Sequence, residues 1–211
     1  MKAMWPHGDQ KVPGLIEGIA SSAPAVFKKY GITSPLVVAH LMAQFSHECG
    51  AGREMVENLN YSAAALCRVW PTRYTPELAV WYAHKPQQIA NNSYNGRMGN
   101  RMGTNDGWDY RGRGLAQCTG RNEYEAVKNM TGIDVLTNPT FLSDPKYAFE
   151  CAVAIAKKCG CLPFAEKDDL EGVSSLLNVG HLVRDHNKIV GFAQRAAWLT
   201  KWKQRLGLDN V

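Results

Sequence analysis

The sequence predicts an all-α or mostly α protein on three grounds. Apolar residues recur at helical spacing along most of the chain, Ser-Pro and Thr-Pro pairs stand where helices should begin, and no long run alternates β-branched with polar residues. At most a short β-hairpin is expected, in the one Gly-rich region.

The first helix is expected from about Pro13 to Tyr30, with Leu15, Ile16, Ile19, Val26 and Phe27 at helical spacing, an interruption or kink near Pro24, and a stop at Gly31. Ser34 and Pro35 form a cap and first-turn pair for the second. There Val37, Val38, Leu41, Met42 and Phe45 make one apolar stripe, which ends at His47-Glu48-Cys49 before Gly50 and Gly52. Shorter helical pieces follow at about Ser62 to Val69, Thr75 to His84 and Pro86 to Asn92. From Ser93 to Gly120 seven glycines exclude one regular helix. Arg-Met-Gly occurs there twice, too short a duplication to signal a repeat architecture. Helical spacing resumes at about Asn122 to Met130, Asp144 to Lys158, Asp168 to Leu177 and Lys188 to Leu206.

A chain of 211 residues fits one domain, 1–211, with room for a small lobe around 52–105 and none for two full enzymatic domains. Hydrophobic residues at 45% and charged residues at 20% exclude wholesale disorder. No stretch reaches the roughly 18 apolar residues of a membrane span, and the start, Met1 to Asp9, lacks the apolar core of a signal peptide. Neither stable membrane insertion nor a secretion signal is therefore expected. The net charge of +5 suits a polyanion: nucleic acid, an acidic membrane face or an acidic cell-wall polymer. Lys188, Arg195, Lys201, Lys203 and Arg205 read as one long C-terminal helix, whose basic side is a solvated face before it is an anion-binding one. Six cysteines without a paired C-x-x-C framework read as reduced, buried thiols, and Cys159-Gly160-Cys161 has no second pair with which to hold zinc. The glycosylation tripeptides at Asn60, Asn91 and Asn129 read as chance matches.

Chemistry is expected at two glutamates. Glu48 closes an apolar helix just before Gly50-Ala51-Gly52, so its carboxyl can lean over a loop-walled cleft, where burial would raise its pKa. A carboxylic acid kept protonated can protonate a leaving sugar oxygen, and a second carboxylate can activate water on the opposite face. Glu57, nine residues on, is the candidate partner; Glu54 competes with it, and surface or capping carboxylates are the plain alternative. An inverting glycosidase needs roughly 6.5–9.5 Å between the two groups, which a loop of this length permits without fixing. His47-Glu48 also begins the zinc-peptidase pattern, but Ala51 stands where its second His belongs. A nucleophilic pair of Cys49 or Cys118 with His47 or His181 stays open beside the simpler reading of core thiols.

Four segments then carry a resemblance: His47-Glu48, Val56 to Ser62, Tyr94 to Asn100, and Tyr110-Arg111-Gly112-Arg113-Gly114-Leu115-Ala116-Gln117-Cys118-Thr119-Gly120-Arg121. Together they resemble glycoside hydrolase family 19, chitinases and cell-wall lysozymes, and within it the bacteriophage endolysins, over about Leu15 to Leu206. The resemblance implies a lysozyme-like helical catalytic domain over 1–211, an inverting mechanism without cofactor or metal, and peptidoglycan glycan strands as the substrate of a monomer that binds no nucleic acid. It makes Glu48 the general acid, Glu57 the base, and Thr119 the hydroxyl that orients the attacking water. Gln117, Tyr61, Asn178 and Arg195 are its substrate-binding group. Within that group Arg195 resembles a helix arginine paired with the region of the acid, with a surface ion pair as the alternative, and Tyr61 is a stacking platform or a packing anchor. Asn178-Val179-Gly180 resembles the family's Asn-Gly-Gly, with Val179 at the first Gly. Arg111 and Arg113 are expected to brace the cleft, and Cys118 to fill core. The implied role is an endolysin cutting β-1,4 bonds of peptidoglycan, held in the host bacterial cytoplasm until the membrane is permeabilised. A chitinase, a non-catalytic glycan-binding protein and, on charge alone, a nucleic-acid-binding protein are the alternatives.

Overall fold

The computed structural model describes residues 1–208. Among these the chain forms eleven α-helices and two 3-10 turns, without a β-sheet. Helix α1 is Leu15–Tyr30 and α2 is Pro35–Glu48; α3 Ala63–Val69, α4 Pro76–Tyr82, α5 Pro86–Tyr94 and α6 Asp106–Asp109 follow. Then come α7 Arg121–Thr131, α8 Ala148–Lys158, α9 Leu162–Ala165, α10 Leu170–Asn178 and α11 Phe192–Arg205. The anticipated hairpin is reduced to two antiparallel bridges, Val56 with Arg113 and Arg113 with Cys118.

Local chemistry explains most boundaries. Ser34, Ser62 and Thr75 each accept a backbone N–H at the start of a helix, and Gly31 ends α1 in the left-handed region at φ 70°. As expected of one helix over about Pro13 to Tyr30, α1 runs through Pro24, and Ala20, whose carbonyl Pro24 leaves without a donor, is an exposed residue that water can serve. Helix α8 starts at Ala148, four residues later than expected, because Pro139–Ser143 is a 3-10 turn and Pro145 interrupts before the helix begins. Likewise Lys188 lies in the 3-10 turn His186–Lys188, separated from α11 by Gly191 at φ 69°.

Helix α2 is the axis of the fold. A single buried stripe was expected, yet Val37 and every residue from Ala39 to Ser46 are buried, because α8, α9, α10 and α11 all pack on it. Its buried polar groups therefore need partners inside the protein. His40 Nε2 pairs with Asp168 Oδ1 at 2.8 Å, and Gln44 Nε2 donates to Ser174 Oγ at 2.9 Å. Ser46 Oγ accepts from the indoles of Trp5 and Trp202 at 2.8 and 2.9 Å, which ties the N-terminal turns and α11 to the same turn of α2.

The main core runs through α1, α2 and α8; a second cluster gathers Tyr110, Tyr124, Val127 and Ile155. A third, around Leu59, Leu66, Tyr74 and Ile89, belongs to α3, α4 and α5 and takes Trp108 against it. The Gly- and Asn-rich stretch between them is ordered by side chains that replace a backbone ladder. Asn95 accepts Gly107 N and donates to Thr104 O; Asn100 accepts Arg121 N and donates to Tyr94 O. Asp106, 3% exposed, accepts Arg101 through its backbone N–H at 2.9 Å and through both Nε and Nη2.

The Arg101 guanidinium, helped by its backbone N–H, holds the Asp106 carboxyl down to about 2. Because this pKa is depressed in the folded state, the stability it contributes is full above the ordinary carboxylate range and is lost as pH falls through about 2. Since Arg101 is largely exposed, screening limits the contribution to about 1–2 kcal/mol. Urea unfolding of wild type and Asp106→Asn should differ by that amount at pH 7 and converge near pH 2; a gap independent of pH would contradict the assignment.

Candidate active site

Between α2 and residue 57 the chain must reverse, and three successive left-handed residues do it: Gly50 at φ 54°, Ala51 at φ 55° and Gly52 at φ 87°. For Ala51 this conformation costs of order 1–2 kcal/mol, held by its N–H on Ser46 O at 2.8 Å. Residues 55–57 then lie beside 112–114, with Gly114 N on Met55 O at 2.9 Å and Glu57 N on Gly112 O at 2.8 Å. Residues 117–119 close the group through the paired bonds between Arg113 and Cys118.

Gly112 is where this arrangement converges. A Cβ there would stand 2.9 Å from Gln117 Oε1, 3.2 Å from Glu57 Cβ and 3.4 Å from Thr119 Oγ1, so three of the expected site residues meet over one missing side chain. Glu57 Oε1 accepts the Tyr94 hydroxyl at 2.6 Å, and Oε2 accepts Gly112 N at 3.2 Å. Burial, then the charge of Glu57, pushes the Tyr94 phenol well above its ordinary value, which keeps it a donor. Thr119 Oγ1 donates to Gln117 O at 2.9 Å and keeps its lone pairs for a further donor. Gln117 sits in the left-handed region at φ 48°; its amide Nε2 is held by Glu54 O at 2.7 Å and Gly114 O at 3.1 Å. Its side chain stands between two concavities. One, of about 760 Å³, includes Glu57, Tyr61 and Lys11, and the other, of about 790 Å³, includes Thr119, Asn122 and Asn178. Tyr61 lines the first while packing edge-on to Trp70 at 5.3 Å, so it is both cleft wall and anchor.

Glu48 is held differently, at the end of α2. Its Oε1 accepts Arg195 Nη2 at 2.6 Å, and no hydrogen bond to Oε2 exists among the described residues. With a guanidinium on one oxygen and 18% of the side chain exposed, it is partly buried beside a cation. Arg195 also donates to Gln44 Oε1 at 2.5 Å and to Val190 O at 3.0 Å, while Val190 N donates to Asn178 Oδ1 at 2.9 Å. Glu48 and Asn178 thus share one polar chain. The substrate-binding role expected of Arg195 is corrected: at 1% exposure it has no surface for a ligand, and its ion pair is buried rather than superficial. It positions Glu48.

The two other arginines brace, as expected. Arg113 donates to Tyr124 Oη at 3.1 Å and to Asp109 O, while Arg111 lies 3.5 Å over the Trp108 ring and is pulled down to about 10 by burial and by Arg113. The Cys-His alternative fails. Cys49 is fully buried with its thiol on Phe45 O, burial pushes it up to about 12, and burial likewise lifts Cys118 far above the thiol range. Among the described residues no three His, Cys, Asp or Glu side chains are grouped so as to hold a metal ion. Sequence reasoning missed Tyr94 and Gln44. Gln44 carried a usable signal, since a polar residue four before Glu48 shares its helix face.

No protein-family model matches the chain. A protein of Haemophilus influenzae described as a glycosyl hydrolase family 19 domain-containing protein is 33% identical over 171 residues, 80% of this chain and 83% of that one. The chain belongs to glycoside hydrolase family 19. Two solved structures share the fold across 98% of this chain and 90% of theirs: chitinase C from Streptomyces griseus HUT6037, with TM-score 0.59 at 20% identity, and a glutamate-to-glutamine mutant of chitinase C, with TM-score 0.61 at 19% identity. As a family 19 member the protein is a glycoside hydrolase with the lysozyme-like helical fold, and its substrate is a glycan.

Gly112→Ala should leave the family 19 fold intact and displace the end of Gln117 and the Cβ of Glu57. Glycan hydrolysis should fall at least ~100-fold with an unchanged circular dichroism spectrum, as a misplacement of about 1 Å suffices for such a loss. Full activity in this variant would mean that the convergence over Gly112 has no part in catalysis.

Proposed function

We propose that the protein is a bacteriophage endolysin that hydrolyses β-1,4 glycosidic bonds of peptidoglycan with inversion. The observation that supports this best is the unlike anchoring of the two glutamates. Glu48 is fixed at one oxygen by a buried guanidinium and keeps the other unbonded, whereas Glu57 is fixed by a phenol and a backbone N–H within an open cavity. In the reaction Glu48 Oε2 gives its proton to the leaving sugar oxygen, and Arg195 stabilises the carboxylate that results. Glu57 takes a proton from a water that Thr119 orients, and that water attacks the anomeric carbon from the opposite face. Gln117, Tyr61 and Asn178 line the path of the glycan. The net charge of +5 favours an acidic wall polymer.

Chitin is the second reading, favoured by the name chitinase C on both solved neighbours. In the endolysin reading the protein is a monomer that binds no nucleic acid and inserts in no membrane. It accumulates in the host bacterial cytoplasm and meets its substrate once a separate protein has permeabilised the membrane.

Purified protein should lyse chloroform-treated Gram-negative cells, and Glu48→Gln and Glu57→Gln should each lower the rate ~100- to 10,000-fold. Glutamine at position 48 still offers Arg195 an acceptor, so that variant should stay folded by thermal melting. Mass spectrometry of the digest should show new reducing-end sugars, and NMR of fresh product the inverted anomer. Equal lysis by Glu48→Gln would remove the mechanism and leave a glycan-binding protein, while turnover of chitin oligomers without lysis would replace the substrate.

A further inference from the structure

A cavity of about 620 Å³ opens beside the proton donor, on residues the mechanism does not use. His47 and Gly50, which bracket Glu48 in sequence, line it, together with Met4 and Pro6 from the N-terminal turns and Trp198 of α11. Its wall is fixed: Trp5, between Met4 and Pro6, is fully buried with its indole on Ser46 Oγ at 2.8 Å. No Asp or Glu among the described residues lines this cavity, but two cations do, Arg53 and Lys201. Arg53 belongs also to the wall of the Glu57 cavity, where Glu54 and Glu57 are the acidic neighbours.

Neither cation has an ion-pair partner among the described residues. Lys201 instead stands 4.9 Å from the Trp198 ring. Burial and Arg195 pull His47 below its ordinary value, so it adds a neutral hydrogen-bonding edge at pH 7. The result is a pocket with an apolar floor and two unneutralised cations, beside the acid and contiguous with the glycan path. Chitin is neutral and offers such a pocket nothing. Peptidoglycan carries, on alternate sugars, a short peptide of small apolar residues and free carboxylates.

We propose that this second cavity takes the acidic stem peptide of peptidoglycan, with Arg53 and Lys201 as the specificity-determining residues that its carboxylates meet. The proposal rests on peptidoglycan being the substrate and adds what distinguishes it from an unsubstituted glycan. Two exposed charge contacts of this kind amount to about tenfold in binding.

The test compares the full-length wild type with a Lys201→Glu variant, which leaves the Glu57 cavity untouched, on peptidoglycan and on the same strands stripped of peptide by an amidase. The Lys201 side chain is exposed, and equal melting temperatures will verify the fold. Because the reversed charge repels the carboxylates, the variant should lose about tenfold in kcat/KM on peptide-bearing strands, chiefly through KM, and remain within about twofold on stripped strands. An equal loss on both substrates, or a loss on neither, overturns the stem-peptide site while leaving the endolysin reading intact. A wild type that cuts neither but cleaves chitin oligomers overturns the endolysin reading itself, and this proposal with it.

Discussion

The guanidinium of Arg195, 1% exposed in the centre of the fold, is a charge taken out of water, and the active site is built on keeping it paired. An isolated cation at such a depth is prohibitive; with a carboxylate, an amide and a carbonyl on its nitrogens it is sustainable, and removing one partner of a buried pair typically costs about 3–5 kcal/mol. Glu48, Gln44 and Val190 are those partners, drawn from α2 and from the approach to α11. Glu48, the proposed proton donor, is therefore part of the same network that docks the last helix on the central one. This explains why so apolar a helix as α2 carries Gln44 and Ser46 on buried faces: each ties α11 to it, one through Arg195 and the other through Trp202. Rigidity of Glu48 follows from core packing rather than from the loop beside it.

Glu57 has no such foundation, and its placement is solved by other means. It stands on an irregular segment whose neighbours share only two bridges, too few for a sheet to set the register. What sets it is close approach at Gly112, together with Tyr94 at the end of α5, whose hydroxyl crosses to the carboxylate. Because the third hydrophobic cluster carries α5, any shift of that cluster moves the oxygen that Glu57 leans on. The Asn side chains that order the Gly-rich stretch have the same consequence. Asn100 bonds the carbonyl of Tyr94 and the N–H of Arg121, so the loop spans from one carboxylate's support to the start of α7.

How far the sequence was legible follows from which forces are local. Caps and helical spacing act within a few residues, so α1, α2, α3, α4 and α7 were found close to their bounds, and Glu57, Gln117 and Thr119, named from two segments of the resemblance, do lie together in space. The errors lie where tertiary contact decides. Burial of α2 on every face depends on four other helices, which no periodicity inside 14 residues reveals. For Arg195 the resemblance gave the pairing with the region of Glu48, which the structure has, but also a place among the substrate-binding residues; only the packing of α11 on α2 buries it away from any ligand.

The C-terminal cations show the same limit in electrostatic form. Five basic residues read as one face of one helix, yet each has a different situation. Lys188 is in the preceding 3-10 turn and pairs with Asp185, Arg195 is buried on Glu48, and Lys203 reaches Asp168, which also holds His40. Arg205 is exposed in the last turn, where it opposes the negative end of the helix dipole. Lys201 lines a cavity, where it joins Arg53 from a distant stretch of chain. A net charge of +5 is thus a poor guide to where an anion is met, because it does not tell the nine Lys and Arg residues that are ion-paired among the described residues from the rest of the 24. What decides is which of them the fold leaves unneutralised next to the reacting bond.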